Sequence, residues 1–180
     1  YSNARVHKFS AEGRRLLSWG EPGTGPGQFN IPHNICCDRE GLVYVADREN
    51  HRVQVFDGEG RYVRQWNNLA RPCGLFIDER GSEPLFYVAE LGATNAGTTA
   101  RGVRNLGPRV SIVRADGEIV AHLGTGPMGD GPGEFVAPHG IATDARGDIY
   151  VAEVSNTYWP MMLGPAPRSL PTLKKLTRLD

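Results

Sequence analysis

Residues 32–38 read PHNICCD, and the same pattern returns as PHGIATD at residues 138–144, which lie 106 positions further along the chain. A third copy, PCGLFID at residues 72–78, follows the first by 40 positions. Self-similarity at a period of roughly 20–50 residues is the signature of a repeat architecture. This repeat is therefore the feature of the sequence that decides the fold.

Each copy of the repeat reads as short strands joined by turns. In the first copy an apolar stretch ends at Asp38, and residues 42–46 (LVYVA) form a second strand after the turn. Residues 52–56 alternate apolar and other side chains, and residues 62–66 complete a set of four strands after the turn at 57–60. Alternation at period two excludes helical repeats, and a four-stranded unit of about 40 residues is typical of one blade of a β-propeller.

The repeats predict an all-β fold in which residues 1–180 form a single partial β-propeller domain. It holds about three and a half four-stranded blades of a six-bladed ring. The predicted divisions are the end of a blade (1–24), a blade (25–68), a blade with a long loop at 91–107 (69–125), and a final blade (126–180) closed by residues 173–176 after a proline-rich segment. Because such a set of blades does not close a ring, we expect a fragment that is completed by missing N-terminal blades or by a second copy.

The composition limits the classes of partner. Hydrophobic residues make up 39% of the chain, and 20 basic residues balance 20 acidic ones, so no charged surface for nucleic acid is expected. No apolar run approaches the ~20 residues of a membrane span, and the first residues show no signal-peptide pattern. The expected partner is a small-molecule or peptide substrate, and secreted and cytoplasmic locations both remain open.

His33 and His139 occupy the same place in two blades. The loop before each innermost strand of a propeller lies near the central channel, so these imidazoles are expected to converge there. Neutral imidazoles that meet from separate blades suit a zinc ion with an open coordination position. The alternative is a Pro-His signature whose ring only caps a strand end or bonds a backbone carbonyl. Cys73 takes this place in the middle blade, either as a third ligand or as a small buried residue.

Two further side chains are candidates for chemistry at the channel. Arg48 follows a predicted core strand and could direct its guanidinium at an anion, or it could form a surface ion pair with Asp47 or Glu49. Tyr1 aligns close to the place of Arg48 in the neighbouring blade. A phenol beside a metal and an arginine could have its pKa lowered and could act as a base.

Several stretches together resemble the family of peptidyl-α-hydroxyglycine α-amidating lyases, which is built on NHL repeats. They are YSNARVHKF at 1–9, GQF at 27–29 with the Pro-His pair at 32–33, ADREN at 46–50, and PH at 138–139 with DIYV at 148–151. The resemblance implies a six-bladed propeller with zinc held at its axis by three histidines, which cleaves peptidyl-α-hydroxyglycine to a peptide amide and glyoxylate. By this resemblance His33 and His139 match two zinc ligands, Tyr1 matches the base and Arg48 matches an active-site arginine.

The chain also departs from this family. Ser2, Tyr44 and Val55 stand where animal members carry cysteines, so the resemblance is to a bacterial-type branch. Gly140 stands where the family has an aspartate associated with calcium, which argues against a calcium site here. Two other classes of function stay open at this point. One is a non-catalytic NHL propeller that serves as a protein-binding platform. The other is a calcium-dependent, lactonase-like hydrolase, which would need carboxylates in the channel.

Overall fold

The computed structural model describes residues 3–92, 107–124, 128–166 and 169–179. The strands are β1 (Val6–Phe9), β2 (Arg15–Trp19), β3 (Glu21–Pro22), β4 (Gln28–Phe29), β5 (Pro32–Cys37), β6 (Val43–Asp47), β7 (Arg52–Phe56), β8 (Tyr62–Trp66), β9 (Pro72–Asp78), β10 (Leu85–Glu90), β11 (Arg109–Arg114), β12 (Ile119–Leu123), β13 (Pro138–Thr143), β14 (Ile149–Glu153) and β15 (Leu173–Leu176). A 3-10 helix spans Arg48–Asn50, and an α-helix, α1, spans Ser155–Leu163.

The strands form the antiparallel sheets of a β-propeller, as the repeat predicts. Within the described residues, β5-β6-β7-β8 and β9-β10-β11-β12 are complete four-stranded blades, each built in sequence order. The pair β1-β2 precedes them, and β13-β14-β15 follows them. The short strands β3 and β4 pair in parallel between the first two of these sheets. The innermost strands β5, β9 and β13 are neighbours, with β9 in the middle.

The last sheet contains the strand that the sequence predicts at residues 173–176. This strand, β15, pairs with β14 and is the third strand of the sheet among the described residues. Between these two strands lies helix α1, which the proline-rich sequence did not predict and which contains Pro160. Proline costs most in the interior of a long helix, whereas in this short helix Tyr158 and Trp159 pack against a buried cluster that stabilises it. In the part of the chain that is described, no helix is long and apolar enough to cross a membrane.

The core lies between the blades. Each blade presents one face to the blade before it and the other to the blade after it, so alternate side chains of a strand enter different clusters. In β6, for example, Tyr44 faces the next blade and Val45 faces the preceding one. Tyr44 meets Phe86 with ring centroids 4.4 Å apart, and Trp66 meets the same ring edge-on at 4.8 Å. These contacts fix the blades relative to one another.

An acidic side chain at the end of the second strand holds each blade together. Asp47 is fully buried, accepts a hydrogen bond from the backbone N–H of Asn30 at 2.7 Å, and pairs with the Arg52 guanidinium at 2.7 Å. The equivalent contacts join Glu90 to Ala70 and Arg109, and Glu153 to Val136, Ala137 and Lys174. Each carboxylate thereby fixes the segment that leads into the innermost strand of its blade, and this segment ends next to the positions of the predicted ligands.

Candidate metal centre

The three innermost strands bring His33, Cys73 and His139 together. Each is the second residue of its strand, so the repeat places them at the same height on β5, β9 and β13. Their possible ligand atoms all lie within 4.8 Å of one another. Cys73 is fully buried and the two histidines are half-buried. Three side chains that are far apart in sequence therefore form one compact cluster.

The hydrogen bonding of His33 orients its ring. Its Nδ1 lies 3.0 Å from the backbone carbonyl oxygen of Cys73. When Nδ1 carries the proton and donates it to this carbonyl, the lone pair of the neutral ring is on Nε2, which is the usual arrangement for a metal-binding histidine. The His33 and His139 rings meet edge-on, with centroids 4.5 Å apart and planes at 76°.

Gly74 allows the innermost strands to approach closely at this point. A Cβ atom on Gly74 would lie 2.6 Å from the backbone carbonyl oxygen of His139, which is closer than real Cβ contacts. At the equivalent repeat position in the last blade, a Cβ on Gly140 would lie 3.4 Å from the Cβ of Ala152, which is close to ordinary packing. The missing side chain of Gly74 is thus a local condition for the contact between Cys73 and His139.

Burial and nearby positive charge keep the imidazoles neutral. Burial lowers the pKa of His33. The hydrogen bond to the Cys73 carbonyl raises this pKa, whereas the charges of Arg48 and Arg71 lower it further. Burial also lowers the pKa of His139, as do the neighbouring His33 and Arg48. Burial raises the pKa of the Cys73 thiol to about 11, although Arg48 and Arg71 act in the opposite direction. Neutral imidazoles are the form that binds a metal ion.

A chain of charged side chains borders the cluster. Arg48 donates from Nε to Glu49 at 2.8 Å, and Glu49 accepts from Arg71 at 2.7 Å. Arg71 Nη1 lies 3.3 Å from the hydroxyl of Tyr158 on α1. Arg48 also lies close enough to the Cys73 thiol to lower its pKa. The ion pair between Arg48 and Glu49 that the sequence allowed is therefore present. It is not a surface pair, since the two side chains are only 13% and 20% exposed.

The backbone beside the cluster is strained. Ile31 and Arg71 precede the proline of successive repeats and have φ angles of 59° and 57°, in the left-handed region that a β-branched residue such as isoleucine rarely adopts. Their carbonyls accept the N–H groups of Arg48 at 3.3 Å and Leu91 at 3.2 Å. Such outliers concentrate at functional sites, where the surrounding structure holds them in place.

The structure places three of the four predicted site residues together. His33 and His139 are members of the cluster, and Arg48 borders it. Tyr1 lies outside the described residues, so its position relative to the cluster stays a prediction. Sequence reasoning missed Arg71 and Tyr158. One signal for Arg71 was available in the repeat. The residue before the proline is apolar in the other two copies, Ile31 and Ala137, whereas it is a charged arginine at position 71.

The chemistry of this donor set fits a transition-type divalent metal such as zinc. Imidazole nitrogen and thiolate sulfur are the ligands that zinc takes in proteins, and three protein ligands leave a fourth position for water or substrate. Calcium, in contrast, takes oxygen ligands. The cluster offers no oxygen ligand of this kind.

Comparisons with known proteins define the class. Residues 29–56, which include His33 and Arg48, match the family model described as NHL repeat. A solved structure of a protein of unknown function from Bacteroides caccae superimposes with a TM-score of 0.67 at 13% identity, covering 96% of this chain and 55% of that one. The chain is thus an NHL-repeat protein with the fold of a β-propeller.

Two relatives are similar to most of this chain. NHL repeat-containing protein 3 of Homo sapiens is 35% identical over 161 residues, which cover 84% of this chain and 41% of that protein. Peptidyl-glycine alpha-amidating monooxygenase of Mus musculus is 38% identical over 170 residues, which cover 91% of this chain and 16% of that protein. This chain therefore spans less than half the length of the relatives that it matches.

Proposed function

We propose that this chain is a zinc-dependent carbon–nitrogen lyase that cleaves a peptidyl-α-hydroxyglycine-like carbinolamide to an amide and glyoxylate. The observation that carries the proposal is the convergence of His33 and His139, from two blades, beside the buried Arg48. The similarity to a peptidyl-glycine alpha-amidating monooxygenase over 91% of this chain supports the same reading.

The proposed reaction transfers one proton and breaks one bond. The proton leaves the hydroxyl group of the carbinolamide, a carbon–oxygen double bond forms, and the carbon–nitrogen bond breaks. The departing nitrogen takes up a proton, so the products are a primary amide and glyoxylate. Zinc held by His33 and His139 would supply Lewis-acid stabilisation of negative charge on the substrate oxygen.

The protein side chains have separate roles in this proposal. Arg48 lies close enough to both imidazoles to lower their pKa, and its guanidinium would orient the carboxylate of the substrate. Tyr1 is proposed as the base that accepts the hydroxyl proton. Arg48 and Arg71 carry two positive charges against the one negative charge of Glu49. The chain of ion pairs is thus left with an excess of positive charge, which suits an anionic substrate.

A glyoxylate-release assay on the zinc-loaded chain tests the proposal. With an N-acyl-α-hydroxyglycine as substrate, we expect stoichiometric glyoxylate and amide from the wild type. A His33→Ala, His139→Ala variant should lose zinc together with activity. The control is His7→Ala, an exposed histidine on β1 outside the cluster, which should behave as the wild type.

The same assay separates the lyase from the binding platform. If the wild type binds zinc in the His33 and His139 cluster but releases no glyoxylate from this substrate class, the lyase proposal fails. The non-catalytic NHL propeller then becomes the better account of the chain.

A further inference from the structure

We propose that Cys73 is a protein ligand of this metal centre, so that the chain binds its metal through two imidazoles and one thiolate. The inference rests on the metal site of the proposed function, but it does not depend on the lyase reaction. Three observations carry it: the position of Cys73 beside the two histidines, its backbone contact with His33 and the positive charge close to its side chain.

The first observation is the placement of the side chain. Cys73 is the second residue of β9, as His33 is of β5 and His139 is of β13. Because β9 lies between the other two innermost strands, its second residue lies beside both imidazoles, whose rings contact each other edge-on. The Cys73 sulfur lies within 4.8 Å of a ring nitrogen of each histidine, and these atoms must move closer together to bind one ion at the usual zinc distances of about 2.0–2.3 Å.

The second observation is the double role of this residue. The Cys73 carbonyl accepts the Nδ1 hydrogen bond of His33 at 3.0 Å, which orients the imidazole and directs its Nε2 lone pair away from that carbonyl. Metal-binding histidines usually donate their second ring N–H to such an acceptor. Cys73 thus fixes one ligand through its backbone and offers another through its side chain.

The third observation is the charge around the sulfur. A thiolate in a buried position requires compensation, and the positive charges of Arg48 and Arg71 both lie close enough to act on the Cys73 sulfur. The other cysteines lack this setting. Cys36 packs against the core between two blades, and Cys37 is exposed. These two residues therefore provide matched controls within the same chain.

Cobalt substitution tests the thiolate directly. Cobalt(II) bound to a thiolate absorbs in the near ultraviolet by charge transfer from sulfur, whereas cobalt bound only to imidazole and water lacks this band. We expect the band in the cobalt-loaded wild type and in Cys36→Ser, Cys37→Ser. In Cys73→Ser the band should disappear, and cobalt affinity should fall at least about tenfold. Persistence of the band in Cys73→Ser, or its absence from the wild type, would overturn the proposal.

A measurement on the wild-type protein alone does not depend on whether the Cys73→Ser variant folds. X-ray absorption at the zinc edge should show one sulfur neighbour at about 2.3 Å and nitrogen neighbours at about 2.0–2.1 Å. A first shell without sulfur would overturn Cys73 as a ligand. A sulfur ligand in a protein that releases no glyoxylate would refute the lyase and leave this inference intact. Glyoxylate release by a protein whose zinc has no sulfur ligand would support the lyase and refute this inference.

Discussion

Arg71 is a single side chain that holds together several parts of this site, because it contacts both Glu49 and Tyr158. Its guanidinium is 1% exposed, and it binds Glu49, which is 20% exposed, at 2.7 Å. Its backbone is held at a φ of 57°. Removing one partner of a buried pair leaves the other charge uncompensated, which costs more free energy than the pair contributes when intact.

We expect Arg71→Met to lower the free energy of unfolding by about 2 kcal/mol, because among the described residues it leaves the Glu49 carboxylate with Arg48 as its one charged partner. Urea denaturation followed by tryptophan fluorescence measures this difference. The control is Arg39→Met, which removes an exposed ion pair with Glu79 and should cost at most about 0.5 kcal/mol. Equal losses in the two variants would show that burial of the Arg71 pair has no special weight.

The pKa of Glu49 predicts a pH dependence of stability. Burial by itself would raise this pKa, but hydrogen bonds and charge from Arg71 and Arg48 outweigh burial and lower it. A carboxylate with a depressed pKa stabilises the folded state above its unfolded pKa and loses this effect as the pH falls through its folded pKa. The gap in unfolding free energy between wild type and Glu49→Gln should therefore be largest above about pH 5 and shrink below about pH 4.

Denaturant titrations of both proteins across this range measure the gap. Glu59→Gln, which changes an exposed glutamate of a turn, serves as the control and should follow the wild type. A gap that stays constant from neutral pH down to pH 3 would contradict the assignment of the stabilising charge to Glu49.

At the scale of elements, the approach of β9 to β13 decides whether the cluster can form. Gly74→Ala would place a methyl group 2.6 Å from the His139 carbonyl oxygen, so the two strands must separate. We expect a loss of about 1–3 kcal/mol in the free energy of unfolding, together with weaker zinc binding by titration calorimetry. Gly140→Ala at the equivalent repeat position should change both quantities little, because its methyl group has space. If Gly140→Ala is the more damaging change, the close approach at Gly74 is not the controlling contact.

The elements also show what the sequence could predict. The alternation of apolar residues and the period of 40 predicted the strands of the complete blades, because alternate side chains of a strand enter different interblade cores. Helix α1 escaped prediction, since its stability comes from Tyr158 and Trp159 packing on a distant cluster and not from its own proline-containing sequence. The convergence of His33 and His139 followed from the repeat. The pairing of Arg71 with Glu49 did not, because these two residues occupy different positions of the repeat.

At the scale of the whole molecule, the candidate metal centre brings together residues of three blades. We expect zinc at about 100 times its dissociation constant to stabilise the folded chain by about 2.7 kcal/mol. For a chain of this size, that corresponds to a rise in Tm of roughly 5–10 °C in a thermal melt. The His33→Ala, His139→Ala variant should show no comparable rise. A similar rise in that variant would place the stabilising zinc elsewhere on the chain.

The separation of the ligands along the chain has a consequence for biosynthesis. His33 and His139 are 106 residues apart. At a translation rate of about 5–20 residues per second, roughly 5–20 s pass between the synthesis of the first imidazole and the last. During synthesis His33 is available first and Cys73 second. The complete set of donors exists only when β13, which carries His139, has docked beside β9. At the proposed site, tight metal capture would therefore require that translation has passed β13, and metal uptake would report that β13 has docked beside β9.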